Sequence, residues 1–253
     1  LHNSFIFLLN IGIVLFLSGC NNSAKITGII EDNFGQPLKN AKISIEDTTT
    51  ETKSSLNGKY SINFVPGSFQ VTYFKEGYTS ITKNFLLTAP GKYPSEKIVL
   101  YKIPPHEGIY YIGKNDYVPI KSVPIIRYRD PSSPNREVCT LPKEEPTLIN
   151  VPSNTSTLKF LIYKLHEDHY YLIKLKGNGE IGWIEHDPDA LHINFMDQNE
   201  SSRQPFLNYP IYVQEINVDR MDKSSYILVR TKYPIDYISW NYKGPCYYFK
   251  PIF

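Results

Sequence analysis

From Lys25 onward the hydrophobic positions recur with a period of two. In KISI (residues 42–45) and SFQVTYF (residues 68–74) apolar and polar residues alternate, so each run buries one face of an extended strand and shows the other to water. Turn residues interrupt these runs about every 8 to 12 positions: Asn33-Phe34-Gly35-Gln36-Pro37-Leu38, Asn57-Gly58, Pro66-Gly67 and Glu76-Gly77. The strands predicted between them are KITGIIED, AKISIED, ETKS, KYSINFV, SFQVTYFK, YTSITKNFLL and EKIVLYK. Ile103-Pro104-Pro105 then breaks the pattern, because proline lacks an amide hydrogen and drives the preceding residue toward extended backbone. Beyond it GIYYIG, YVPI, PIIRYR, TLKFLIYKL, HYYLIKLK, EIGWIE, YPIYVQEI, SSYILVRTK and CYYFKPIF read as further strands. No helical period intervenes. The prediction is an all-β chain: a Greek-key β-sandwich over residues 24–102, a linker over 103–107 and a second β-rich domain over 108–253.

A different pattern precedes Lys25. Phe5 to Leu17 is an unbroken apolar run apart from Asn10 and Gly12, thirteen residues long. As a helix it would reach about 20 Å, short of the roughly 30 Å of a bilayer's hydrocarbon. That length suits the core of a cleavable secretory signal over residues 1–19. It ends in Leu17-Ser18-Gly19-Cys20, which resembles the lipobox of bacterial lipoproteins. The resemblance implies acylation of the Cys20 thiol, cleavage between Gly19 and Cys20, and a short lipid-anchored tether over 20–23. The leader departs from that family in offering only His2 where Lys or Arg is usual. With Asn21 and Asn22 after the cysteine and no Asp, the resemblance implies the cell envelope, at the outer membrane.

Composition narrows the class further. Twenty Tyr and thirteen Phe favour strands, since aromatic side chains suit a pleated, half-buried surface. The 27 basic and 25 acidic residues are spread along the chain and leave a net charge of +2, so there is no continuous basic face to neutralise phosphates and nucleic acid is excluded as a partner.

The turn residues also carry a family resemblance. Gly28, Asp32, Gly35, Pro37, Leu38 and Ala41, then Thr52, Asn57-Gly58 and Tyr60, then Pro66-Gly67 and Lys75-Glu76-Gly77-Tyr78 together resemble the carboxypeptidase regulatory-like domain, a transthyretin-like sandwich, over roughly Ala24 to Lys102. The resemblance implies a non-catalytic module, usually appended to another domain and common in envelope proteins, with no catalytic residue to transfer. In the second region Arg129-Asp130-Pro131-Ser132-Ser133-Pro134, Glu137-Val138-Cys139-Thr140-Leu141 and Gly182-Trp183-Ile184 resemble the bacterial Src-homology-3-like barrel. That likeness implies a peptide or cell-wall ligand, with Trp183 in the core.

Candidate chemistry is sparse. Gly177, Gly179 and Gly182 spell a dinucleotide fingerprint, but a phosphate loop must open a helix and IGWIE continues as a strand; Lys176 to Gly179 reads as a hairpin loop. His166-Glu167-Asp168-His169 reads as a charged hairpin tip, and His186-Asp187-Pro188-Asp189 with His192 as a solvated loop, since neither has the spacing that converges three or four zinc ligands. No metal and no cofactor is expected. Cys139 and Cys246 remain once Cys20 is acylated; in an oxidising envelope they either pair or sit as two separate buried thiols. The expectation is a non-enzymatic envelope lipoprotein acting as scaffold, adhesion or ligand-binding module, held to the membrane by lipid and meeting an envelope protein or a glycan. The alternative is an envelope hydrolase acting on peptide or glycan from a site in the second domain.

Overall fold

The computed structural model describes residues 23–129, 136–140, 145–165, 169–175, 181–185, 211–221, 223, 225–231 and 243–253. These residues form strands and one 3-10 turn, Val218–Arg220, with no α-helix among them.

The first two sheets face each other across one core. In the first sheet β1 (Ala24–Asp32) is central, because its residues alternate inward and outward from Ala24 and Ile26 through to Ile30 and Asp32. It pairs antiparallel with β4 (Lys59–Phe64), Ala24 opposite Phe64 and Ile29 opposite Lys59. Along its other edge it pairs in parallel, first with β7 (Gly91–Pro94) and then with β8 (Ile98–Leu100). The second sheet runs β3 (Glu51–Lys53), β2 (Lys42–Ile45), β5 (Gly67–Phe74) and β6 (Ile81–Leu87), antiparallel throughout. Ile26, Ile30, Ile43, Val71, Tyr73 and Leu100 are wholly or almost wholly buried between the sheets. The hydroxyls of Tyr60 and Tyr73, 3.0 Å apart, satisfy each other inside that core.

Turn chemistry closes the sandwich as the sequence leads one to expect. The Asp32 carboxylate accepts from the amides of Phe34 and Gln36 at 2.9 and 2.8 Å, which bends the chain after β1. Gly58 has φ 72°, and a Cβ there would stand 2.3 Å from the Ile30 carbonyl oxygen, so this position requires glycine twice over. Ser54 is buried: its hydroxyl donates to the Leu38 carbonyl and accepts from the Ala41 amide at 2.8 Å, clamping the β3–β4 turn to the chain before β2.

The remaining strands form two more sheets. One has the order β10 (Tyr117–Pro119), β9 (Gly108–Ile112), β14 (Thr157–Tyr163), β17 (Ile211–Asn217), antiparallel throughout. The other has the order β15 (His169–Leu175), β18 (Ser225–Thr231), β19 (Lys243–Ile252), β11 (Ser122–Arg129), β12 (Arg136–Thr140), β16 (Ile181–Glu185), with β13 (Thr147–Asn150) parallel to the last part of β19. Its two outer strands, β15 and β16, come back into contact, which curls the sheet upon itself. Phe160 and Ile162 on one face of β14 pack with Tyr226, Tyr247 and Phe249 of the curled sheet. Leu161 and Tyr163 on the opposite face are buried as well. Burial on both faces is why β14 reads FLIY with no polar residue between.

Three strands fell outside the sequence prediction, β12 (Arg136–Thr140) and two shorter ones. β7 contains Gly91 and Pro94, and β13 is only four residues long; both exist because a parallel neighbour supplies their partners. The segment predicted as a linker is held in place. The Ile103 amide donates to the Gly77 carbonyl at 2.9 Å, Pro104 is buried, and the His106 carbonyl accepts from the Tyr110 hydroxyl at 2.7 Å.

Candidate functional site: the two ends of the sandwich

Polar and aromatic groups of the described residues come together where the sandwich meets the sheet β10-β9-β14-β17. Asn33 follows β1 in the first turn, and its side-chain oxygen accepts from the Lys102 amide at 2.9 Å. The Tyr117 hydroxyl donates to the Lys102 carbonyl at 2.7 Å and stands 3.2 Å from the same Asn33 oxygen. The Tyr117 ring meets Phe34 edge-on at 5.0 Å between centroids and Tyr110 at 5.8 Å. Ile81, Tyr101 and Ile103 pack alongside, against Tyr110, Leu161, Tyr163 and Ile211. Burial is the main reason that the Tyr117 and Tyr101 phenols are pushed above their ordinary value. Beside Tyr101, Lys159 and Glu215 face each other across β14 and β17 and form an ion pair of 2.6 Å, which raises the Lys159 ammonium. The Asn33 side-chain nitrogen is buried with no hydrogen-bond partner; its orientation is dictated by the Lys102 amide, which needs the oxygen.

The chain comes in at the opposite end. Ser23 and Ala24 lie beside Gly91, whose amide donates to the Ser23 carbonyl at 3.3 Å, and Ala24 is opposite Phe64. The seam at Asn33 lies past the far end of β1, eight residue steps or about 26 Å away at 3.3 Å per step. The sandwich therefore separates Ser23 from the second pair of sheets.

The residues singled out in the sequence distribute unevenly. Gly19 and Cys20 lie outside the described residues, as do Gly177, Gly179, the His166 to Asp168 part of the first histidine cluster, and the whole of the second from His186 to His192. Among the described residues no group of three or more His, Cys, Asp or Glu is arranged to hold a metal ion. Trp183 lies in β16 opposite Val138. Cys246 is buried in β19 opposite Val123, whereas Cys139 lies in β12 opposite Arg127. Strand β11 thus runs between the two cysteines, and they are offset by four residues along it. Two strand spacings and four residue steps separate their Cα atoms by about 16 Å, well beyond the roughly 7 Å that a disulfide spans. Tyr117 was not picked out in the sequence. It is 84 residues from Asn33, and no local pattern signals such a contact.

Residues 25–100 match the family model of the carboxypeptidase regulatory-like domain, the segment that forms the sandwich. Carboxypeptidase Z of Gallus gallus is 37% identical over 62 residues, 24% of this chain and 10% of that protein. The match spans a tenth of that relative's length and leaves the rest of it uncovered. Among solved structures, a chain of a type II cohesin–X-dockerin complex from Acetivibrio cellulolyticus is similar at 20% identity and a TM-score of 0.28, over 31% of this chain and 58% of that one. A DUF3823 family protein from Bacteroides ovatus is similar at 10% identity and a TM-score of 0.27, over 90% of this chain and 98% of that one. At those scores neither likeness carries an argument about function.

Proposed function

We propose that this chain is a lipid-anchored, non-enzymatic protein of the bacterial cell envelope, in which the regulatory-like sandwich is a stiff spacer. The second pair of sheets, Src-homology-3-like in its curled half, presents the binding surface, and its partner is an envelope protein or a glycan. The observation that supports this reading is the placement of the two ends of the sandwich: the chain comes in three residues after Cys20, at Ser23, and the second pair of sheets is locked to the far end through Asn33, Lys102 and Tyr117. A flexible hinge would let the second unit fall back onto the membrane. A packed aromatic seam holds it off by the length of β1.

Expression of the full chain with Cys20→Ala tests the anchor. The variant is expected to leave the membrane fraction or accumulate as uncleaved precursor, while the parent yields a mature amino terminus carrying acyl groups by mass spectrometry. A mature parent chain with an unmodified Cys20 overturns the reading.

A further inference from the structure

We propose that the Ala24 end of the sandwich is a membrane-contact surface for anionic lipid; this rests on the anchoring of Cys20 proposed above. Three residue steps separate Cys20 from Ser23, so the tether reaches at most about 10 Å. An acylated cysteine therefore holds this end of the sandwich within reach of the headgroups. The end is built for that position in two respects.

The first is apolar. Val65, in the β4–β5 turn, and Leu86, in β6 opposite Ser68, are 77% and 73% exposed. They sit over a rigid backing of partly buried rings: Phe64 lies 4.2 Å from Phe69, which stacks on Phe85 at 6.0 Å between centroids. Side chains of this kind gain by leaving water, and a membrane interface three residues from the anchor is the apolar phase at hand. The second is electrostatic. Lys25 and Lys92 are neighbours on the parallel strands β1 and β7, both exposed. Residues 23–30, 59–74 and 77–95 contain no Asp or Glu at all. Two exposed carboxylates, Glu46 and Asp47, lie in the β2–β3 turn, which points toward this same end, but they flank β5 near Gln70 on the side away from Leu86. Lys83 is already held by Glu96 at 3.0 Å. Cationic side chains at the same end of the sandwich as an exposed aliphatic pair match an anionic leaflet, which draws in Lys and Arg within a Debye length. Leu56, which is equally exposed at 77%, lies at the other end of the sandwich beside Gly58 and serves as the internal control.

The test uses the full chain, expressed with its leader in a bacterial host and reconstituted into vesicles of phosphatidylcholine with a quarter phosphatidylglycerol. Intact mass first reports the acyl groups on Cys20. Hydrogen exchange then compares the parent with the double variant Val65→Asp/Leu86→Asp, whose changes lie on exposed positions and leave the core alone. In the acylated parent the amides of 64–69 and 85–92 are expected to exchange about threefold slower than in the equally acylated variant, with 54–58 the same in both. On pure phosphatidylcholine the difference is expected to shrink, by the share that Lys25 and Lys92 contribute. Equal rates in acylated parent and acylated variant overturn the inference and leave the anchor standing. An unmodified Cys20 overturns the anchor, and the inference with it.

Discussion

Truncating Tyr117 to Ala removes the ring that meets Phe34 and Tyr110 and the hydroxyl that donates to Lys102. Truncation of a buried aromatic costs about 3–5 kcal/mol, and the low end applies because Tyr117 is only half-buried. The hydroxyl's part is read separately from Tyr117→Phe, which keeps the ring and should cost about 1 kcal/mol. At a urea dependence of about 3 kcal/mol per molar, the alanine variant should lose about 1 M in its unfolding midpoint. The assay distinguishes loss of the seam from general weakening, because both tryptophans, Trp183 and Trp240, lie beyond the linker. Tryptophan fluorescence therefore follows the second unit alone, and far-ultraviolet circular dichroism follows both. In the parent the two curves should coincide, since a packed seam couples the units; in Tyr117→Ala they should separate. Coincident curves with a midpoint shifted by less than about 0.2 M would refute the claim that this seam holds the units together.

Ser54→Ala leaves both the Leu38 carbonyl and the Ala41 amide without their partner in a buried turn, and about 2–3 kcal/mol should be lost in denaturant unfolding; a loss below about 0.5 kcal/mol would contradict the clamp. Burial, and after it the hydrogen bond with Tyr60, hold the Tyr73 phenol well above the ordinary value of 10.0. The folded state therefore keeps that proton more tightly than the unfolded chain. The stability this contributes is complete below pH 10 and is lost as pH rises above it, so absorbance titration at 295 nm should show Tyr73 and Tyr117 ionising only as the protein unfolds. Under non-reducing denaturation Cys139 and Cys246 should both react with maleimide; recovery of a linked pair of peptides instead would mean that β12 and β19 do not flank β11 as described.

The all-β class, most strand positions and the turns of the sandwich were legible along the chain because they rest on local rules. Alternation in KISI and SFQVTYF needs only a neighbouring core, and Gly58 and Gly77 adopt the positive φ angles, 72° and 80°, that their turns demand. The proposal of a leader ending at Cys20 likewise rests only on length and adjacency. Tertiary structure alone decided which strands are neighbours. The parallel pairing of β1 with β7 and β8 turns GKYP, which carries a glycine and a proline, into a strand, and TLIN becomes one only because β19 extends beyond β11. The cysteines show the same limit: counting two leftover thiols left a bridge and two separate thiols both open, and it was strand order that set β11 between them. Phe34 and Tyr117 likewise find each other 83 residues apart through the packing of whole sheets. Contacts at such separations depend on which faces become buried together, and the period of a single strand carries no record of the face it will meet.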